Sequence, residues 1–336
     1  MKLINVGIIG LGVIGKRMAQ NMGVHPKFNI LGGYDISEKK KSEFSNDFPE
    51  IKTYSSAEKL LRETELDLLY IGTPPASHTE YVKMSASRKL AIFCEKPLCV
   101  DDSQGSELVK IVESNKIFNA VNFVYSSAPA AEAANEYISS GELGDPIGID
   151  ISLTFSRWPR KWQEDAAWLA ESEEGGFMRE VSSHFFYLSY RLLGLPKWVG
   201  TPIINRPTPK AAEVFIQGSC TIDDIPLTIN GCVGGKVNDI VVWRLRGTRS
   251  SLRIFNWYHL ERQGEIDSSL ILSEAESKPQ AAYMAQLDKL AKQLNNEKVS
   301  LADFNDAFQI QKLVEEGLSR SIQIKNIIWL SHSENP

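Results

Sequence analysis

Three constellations in the 336-residue chain have the residue types and spacing to do chemistry. The first is made of backbone. Gly10-Leu11-Gly12-Val13-Ile14-Gly15 follows an apolar run and opens an amphipathic stretch. In that context the first glycine permits a tight turn and the second lets backbone N–H groups approach a pyrophosphate. The third lets strand and helix pack closely, and Val13 and Ile14 fall at a helix start, whose partial positive charge favours an anion. Asp35 ends the next apolar run, twenty residues beyond Gly15. A carboxylate there accepts hydrogen bonds from the adenine ribose hydroxyls and repels a 2′-phosphate, which favours NAD; Ser37, Lys39 and Lys40 nearby leave NADP open.

The second constellation is Glu95-Lys96-Pro97, where the run Ala91–Cys94 ends. Ligands bind beyond the carboxyl ends of parallel strands, so Glu95 and Lys96 would point towards a nicotinamide. A lysine that is partly desolvated and beside a cationic ring has its proton affinity pushed towards acid/base territory. Taken alone, the segment reads more simply as a surface lysine beside a strand-ending proline. The third is Glu180 with His184, i and i+4 on an expected helix, so both side chains share one face. A carboxylate there can orient the imidazole and tune its basicity; a helix with one exposed ion pair would show the same spacing.

These residues need elements to hold them. Across 1–121, short apolar runs (Asn5–Ile9, Phe28–Tyr34, Leu66–Ile71, Ala91–Cys94, Phe118–Val121) alternate with amphipathic stretches near 13–22, 38–46, 55–62, 77–88 and 102–115. Runs that are apolar on both faces and separated by helices imply a doubly wound parallel sheet. Ser55 with Glu58 is expected to cap one helix, and Asp101 and Asp102 to start another. After 122 the rhythm changes: a helix near 129–140 ending at Gly141, a strand near 146–156, a Trp-rich loop and a helix over 176–193. Strands then dominate to about 274, with runs such as Glu213–Cys220, Pro226–Val233, Asp239–Arg246 and Ser251–Phe255 joined by short turns, the pattern of an antiparallel sheet. Two closing helices are expected near 279–294 and 301–322, the second opened by Ser300 with Asp303. The expected division is a Rossmann domain over 1–122 and an α/β domain over 123–336 that includes the helices 279–322, with a packed junction near 121–124.

Composition sets limits. Formal net charge is -5, and the basic clusters Lys39-Lys40-Lys41 and Arg157-Trp158-Pro159-Arg160-Lys161 are short, which argues against nucleic acid as a partner. No apolar run reaches the length of a membrane span, and Met1-Lys2-Leu3-Ile4-Asn5-Val6 has no cleavable signal layout. Cys94, Cys99, Cys220 and Cys232 form no CxxC pair, so the thiols read as reduced and the location as cytoplasmic. No His, Cys or Asp spacing suggests a metal site.

The glycine signature, Thr73-Pro74-Pro75-Ala76-Ser77-His78 and Glu95-Lys96-Pro97 together resemble the Gfo/Idh/MocA oxidoreductase family. Ser140-Gly141-Glu142-Leu143-Gly144 is similar to that family's turn into its second domain. Gly175-Gly176-Phe177-Met178-Arg179-Glu180-Val181-Ser182-Ser183-His184 is similar to its second catalytic motif. The resemblance implies a Rossmann domain joined to an α/β domain with an open-faced antiparallel sheet, which often serves as the interface of a homodimer or homotetramer. It implies Lys96 as the acid/base or substrate-orienting lysine, His184 as the catalytic histidine, and Glu180 where an Asp is usual. Thr73 and Pro74 would lie along the nicotinamide side of the cofactor, with His78 following the family pattern at a helix start and Glu95 and Pro97 shaping the pocket. Glu174, Ser182 and Asn122-Phe123-Val124-Tyr125-Ser126, which lacks a common Arg, depart from the pattern and leave the substrate open.

Aromatic faces stack on sugar C–H faces, so Trp158, Trp162 and Trp168 are candidate walls or a lid, though such rings fill cores as readily. Tyr125 and Tyr187 are further candidates, and Arg157, Arg160 and Lys161 suit an acidic group or a solvated loop. His25, His259 and His332 look incidental. The expected chemistry is hydride transfer between nicotinamide C4 and a hydroxyl-bearing carbon of a small sugar, polyol or related cyclic compound. Its rivals are a non-catalytic dinucleotide sensor and a redox-assisted lyase or glycosidase.

Overall fold

Leu68-Leu69-Tyr70-Ile71 is buried at every position, as only an inner strand covered on both sides can be. In the computed structural model, which describes residues 3–322, it is β3 of a five-stranded sheet. Met1, Lys2 and His332, with both outer ends of the expected domain ranges, lie outside the described residues. The other strands are β1 (Ile4–Ile9), β2 (Phe28–Tyr34), β4 (Ala91–Cys94) and β5 (Asn119–Val121), in the order β2-β1-β3-β4-β5. Every pairing is parallel. Helices α1 (Val13–Val24), α2 (Glu38–Asp47), α3 (Ala57–Glu63), α4 (His78–Ser87) and α5 (Asp102–Ser114) connect them. This is the expected doubly wound sheet, with β3 starting two residues later than its apolar run.

The chain leaves this sheet through buried Asn122 and Phe123, so the junction is packed. Helix α6 (Pro129–Ser139) leads to β6 (Pro146–Phe155), and α7 (Ser183–Leu193) precedes β7 (Lys197–Asn205), β8 (Phe215–Ile222) and β9 (Ile225–Val233). The sheet is completed by β10 (Ile240–Gly247), β11 (Ser251–Phe255), β12 (His259–Gln263) and β13 (Ser268–Leu270), in the order β13-β12-β11-β10-β6-β9-β8-β7. It is antiparallel except between β6 and β9. Ile149, Ile151, Leu153 and Phe155 of β6 alternate with outward Asp150, Ser152 and Thr154, so one face is apolar and the other polar. The apolar face packs against α7, where the Trp243 indole N–H donates to Ser189 Oγ at 3.0 Å.

Two helices close the chain, α8 (Pro279–Leu294) and α9 (Phe304–Ser319). Leu287, Leu290 and Ala291 of α8 share one apolar cluster with Met18 and Met22 of α1 and Phe93 of β4, so α8 packs on the first sheet layer. Val121 N–H donates to Ala302 O at 2.8 Å, and Phe304 N–H to Asn119 Oδ1 at 2.8 Å, which covers the free edge of β5.

Three local expectations change. The helix over 176–193 is a wider π turn at Met178–Ser182 followed by α7. Asp303, not Ser300, caps α9, in a reciprocal box with Asp306. Ser56, not Ser55, caps α3: its extended backbone brings Oγ to the Lys59 amide at 3.1 Å, while Ser55 lies one residue outside. Ser56→Ala should therefore cost about 1 kcal/mol in urea unfolding and Ser55→Ala no more than about 0.5 kcal/mol. Equal losses would show the cap to be misassigned.

Candidate active site

The glycine turn is over-determined by its backbone. Gly10 has a φ of +92°, and a Cβ on Gly15 would lie 1.9 Å from Gly10 O. Gly12 differs: a Cβ there would meet only the Lys40 side chain, its Nζ at 3.6 Å. The second glycine therefore faces open space rather than packing. Gly12 begins α1 with no side-chain cap, so the first-turn amides, Val13 and Ile14 among them, keep free donors. Asp35 is buried and accepts from Leu11 N–H at 2.9 Å and Ser37 N–H at 2.8 Å, which fixes its carboxylate beside the turn. Thr73 and Pro74 follow β3, and the Thr73 amide is 2.8 Å from a Cβ built on Gly10. This is an anion-binding cradle with a ribose-side carboxylate, which fits a dinucleotide.

His78 does not line that cradle. It is fully buried, with Nδ1 3.0 Å from Leu98 O and Nε2 2.8 Å from Thr73 O. Both ring nitrogens are spent on backbone, so His78 ties the 73–77 loop to the segment after β4 and is neither a cofactor ligand nor a helix cap. Burial lowers its pKa, against the two carbonyl bonds.

Beyond the carboxyl end of β4, Glu95 and Lys96 diverge. Glu95 Oε1 accepts from Tyr70 Oη and from Asn122 Nδ2, each at 2.5 Å, which ties together the ends of β3, β4 and β5. Burial raises its pKa, and those two hydrogen bonds hold it down. Lys96 Nζ instead donates to Glu180 O at 3.0 Å and pairs with Glu180 Oε2. This pair is largely shielded from water, with 8% and 13% side-chain exposure. Glu180 Oε1 also accepts from Gln163 Nε2 at 2.9 Å and lies 3.7 Å from an Arg160 Nη.

The expectation that Glu180 orients His184 fails, because its carboxylate is taken by Lys96 and Gln163 and makes no hydrogen bond to the ring among the described residues. His184 is buried with edge contacts to Phe123 and Trp257, ring centroids 5.5 and 5.6 Å away. Its Nδ1 is buried without a hydrogen-bond partner. Burial, then the Lys96 and Arg160 charges, drive its pKa well below 6.5, so it is a neutral base.

The other aromatic and basic candidates separate sharply. Tyr125 is fully buried and donates to Trp257 O at 2.9 Å, and Tyr187 stacks on Phe123, so both are core. Trp158 is pinned through its indole N–H to Leu169 O at 2.9 Å and packs on Phe155 and Phe177, an anchor for the strap 156–177 rather than a pocket wall. Arg157 forms an exposed ion pair with Glu164 and is no ligand. Trp162 does reach the site: the guanidinium groups of Arg17 on α1 and of Arg160 each lie 4.8 Å from its ring centroid. The strap thus closes over the first sheet layer. Arg17, Gln163 and Trp257 carried no spacing signal in the sequence, because each reaches the site from a distant segment.

The fold is that of a dinucleotide-binding protein, with Lys96 paired to Glu180 beyond its strand ends. Residues 4–123 match the oxidoreductase family with an NAD-binding Rossmann fold, GFO_IDH_MocA, the family that their motifs resemble. An uncharacterized oxidoreductase of Bacillus subtilis, YrbE, is 28% identical over 57% of this chain and 54% of its own length. The match thus spans about half of that relative. The levoglucosan dehydrogenase of Pseudarthrobacter phenanthrenivorans is 21% identical over 82% of this chain and 78% of its own. The WlbA dehydrogenase of Bordetella pertussis, solved with NADH and UDP-GlcNAcA, shares the fold at a TM-score of 0.82, with 16% identity over 95% of this chain and 96% of that one. Among the described residues, no group of three or more His, Cys, Asp or Glu could hold a metal ion, and no helix is long and apolar enough to cross a membrane.

The two later glycines of the turn should behave oppositely on substitution. Gly15→Ala is expected to cost about 3 kcal/mol in urea unfolding, since its clash is with backbone. Gly12→Ala should cost no more than about 1 kcal/mol yet weaken ADP-ribose binding, read by titration calorimetry, at least about tenfold. Wild-type affinity in Gly12→Ala would remove the open face of this glycine from the binding site.

Proposed function

We propose that the chain is an NAD(P)-dependent oxidoreductase acting on a hydroxyl-bearing carbon of a sugar, polyol or related cyclic compound. The observation that carries this is the largely shielded Lys96–Glu180 pair beside a neutral His184, beyond the carboxyl end of β4. The glycine turn, Asp35, Thr73 and Pro74 would hold the dinucleotide. Bound there, the nicotinamide supplies the hydride acceptor. In the oxidation direction the substrate carbon loses hydrogen with its electron pair, and the hydroxyl proton leaves separately. An ammonium has three donors; Lys96 commits two to Glu180, which leaves one for the substrate oxygen. His184 Nε2 takes the proton, and Lys96 stabilises the negative charge that grows on the oxygen as the carbonyl forms. Glu180 holds Lys96 in place. The reading includes a cytoplasmic location, which four free thiols suit, and a homo-oligomer joined through the polar outer face of the second sheet.

Candidate sugars and polyols, followed by the absorbance of reduced cofactor, test the activity directly. Lys96→Met should lower kcat by about 10³-fold, and unchanged turnover would sink the assignment. The pH profile gives a second check. A base with a depressed pKa stays unprotonated below pH 6.5, so the acid limb of kcat/KM should fall below pH 6.5 rather than at it. The same shift has a stability consequence: the unfolded chain takes up this proton near pH 6.5 and the folded one does not. Stability attached to His184 is therefore lost as pH falls below 6.5. In His184→Gln, urea unfolding should lose part of that acid sensitivity; an unaltered pH dependence would contradict a buried neutral histidine.

A further inference from the structure

Arg160 sits on the strap beside the Glu180 and Asp239 carboxylates and the Arg17 cation, yet little of its hydrogen-bonding capacity is used. Its side chain is 11% exposed. The guanidinium faces the rings of Phe155, Trp158, Trp162 and Trp257 at 4.8–5.8 Å, and Nε donates to Gln163 Oε1 at 2.8 Å. Neither terminal Nη makes a hydrogen bond among the described residues, and neither is sealed away as a buried unpartnered atom. The nearest Glu180 oxygen is 3.7 Å away, an ion pair without a hydrogen bond. Asp239 also acts on Arg160, but its carboxylate accepts from Ser156 N–H and Oγ. The result is a cation fixed along one edge, with its fork open towards the Lys96–Glu180 pair.

We propose that this fork binds a carboxylate on the substrate, which makes the natural substrate a polyhydroxy acid or sugar acid rather than a neutral sugar. The inference rests on the reading of the site as an oxidoreductase centre. A planar guanidinium matches a planar carboxylate through two parallel N–H···O bonds. Gln163 and the aromatic rings hold the group in place, so little side-chain entropy remains to be lost on binding. One fork suits one negative charge: Glu180 already stands beside it, and Arg17 is engaged with the Trp162 ring. A phosphate dianion would meet Glu180 without a second free cation. With its carboxylate on Arg160, the substrate would present a nearby hydroxyl to Lys96 and His184.

The test compares acid and neutral partners of the same configuration, glucuronate against glucose and galacturonate against galactose, by kcat/KM with NAD+ and NADP+. The wild type should favour the acid at least about tenfold, and Arg160→Gln should cut that ratio about 30-fold, the scale of a lost charge-assisted pair. Arg160→Lys, which keeps the charge without the fork, should recover only part of it. Acetate, a monocarboxylate with no hydroxyl to oxidise, should quench tryptophan fluorescence saturably in the wild type and not in Arg160→Gln, with chloride at equal ionic strength as the control. A wild type that turns over neutral sugars with no preference for acids, or quenching that persists in Arg160→Gln, overturns the carboxylate fork and leaves the oxidoreductase reading standing. Specific acetate binding without turnover of any of the four sugars supports the fork and counts against that reading instead.

Discussion

A carboxylate taken out of water must find donors, and Glu180 draws its donors from two distant parts of the chain. Lys96 arrives from the end of β4, while Gln163 and the nearby Arg160 arrive on the strap. Desolvating each ion costs several kcal/mol, which only well-placed partners offset. The arrangement therefore exists only when strap, strand end and π turn are in place together. It couples the parallel layer to the antiparallel one through charge, where shared apolar area alone would allow them to slide. Trp162, against the guanidinium groups of both Arg17 and Arg160, ties the same boundary together.

The turn that delivers Glu180 is itself clamped. Met178 N–H donates to Glu213 Oε1 at 2.6 Å, and Glu213 is fully buried. Arg179 grips Glu315 of α9 through two bonds at 2.6 and 2.7 Å and reaches the carbonyls of Ser172 and Gly175. Gly176 at φ +99° completes the approach, since a Cβ there would lie 2.3 Å from the Glu213 carboxylate. A π turn inserts an extra residue and is poorly stabilised by its own hydrogen bonds. Here the side chains on either side hold it open, and the gain is a Glu180 aimed at Lys96.

What was legible in the sequence was what depends on neighbours along the chain. The glycine turn, Asp35, the five parallel strands and the alternating β6 all follow from local geometry and periodicity, and they were read nearly to the residue. Lys96, Glu180 and His184 could be singled out, but their mutual roles could not. An i,i+4 spacing assumes a regular helix, and the clamps on Met178 and Arg179 come from Glu213 and Glu315, far off in sequence. The same applies to His78, whose two carbonyl partners lie on separate loops, and to Arg157 and Arg160. These two arginines are three residues apart, one solvated on Glu164 and the other caged by four rings. Composition cannot distinguish them; only the fold of the strap does.

The adjacent carboxylates Glu95 and Glu180 show how partner choice divides labour within one site. Glu95 is held by neutral donors, Tyr70 and Asn122, from the two strands flanking β4. It thereby fixes the peptide that carries Lys96 without competing for the lysine's charge. Glu180 is held by cations and so keeps the ammonium directed into the site. His184 faces neither carboxylate. Its neighbours are ring edges and positive charge, which keep it unprotonated. A proton donor and a proton acceptor can stand close together only if something prevents them from neutralising each other. Glu180 offsets the lysine's charge and burial disfavours a charge on His184, so an ammonium and an uncharged ring are compatible within one site.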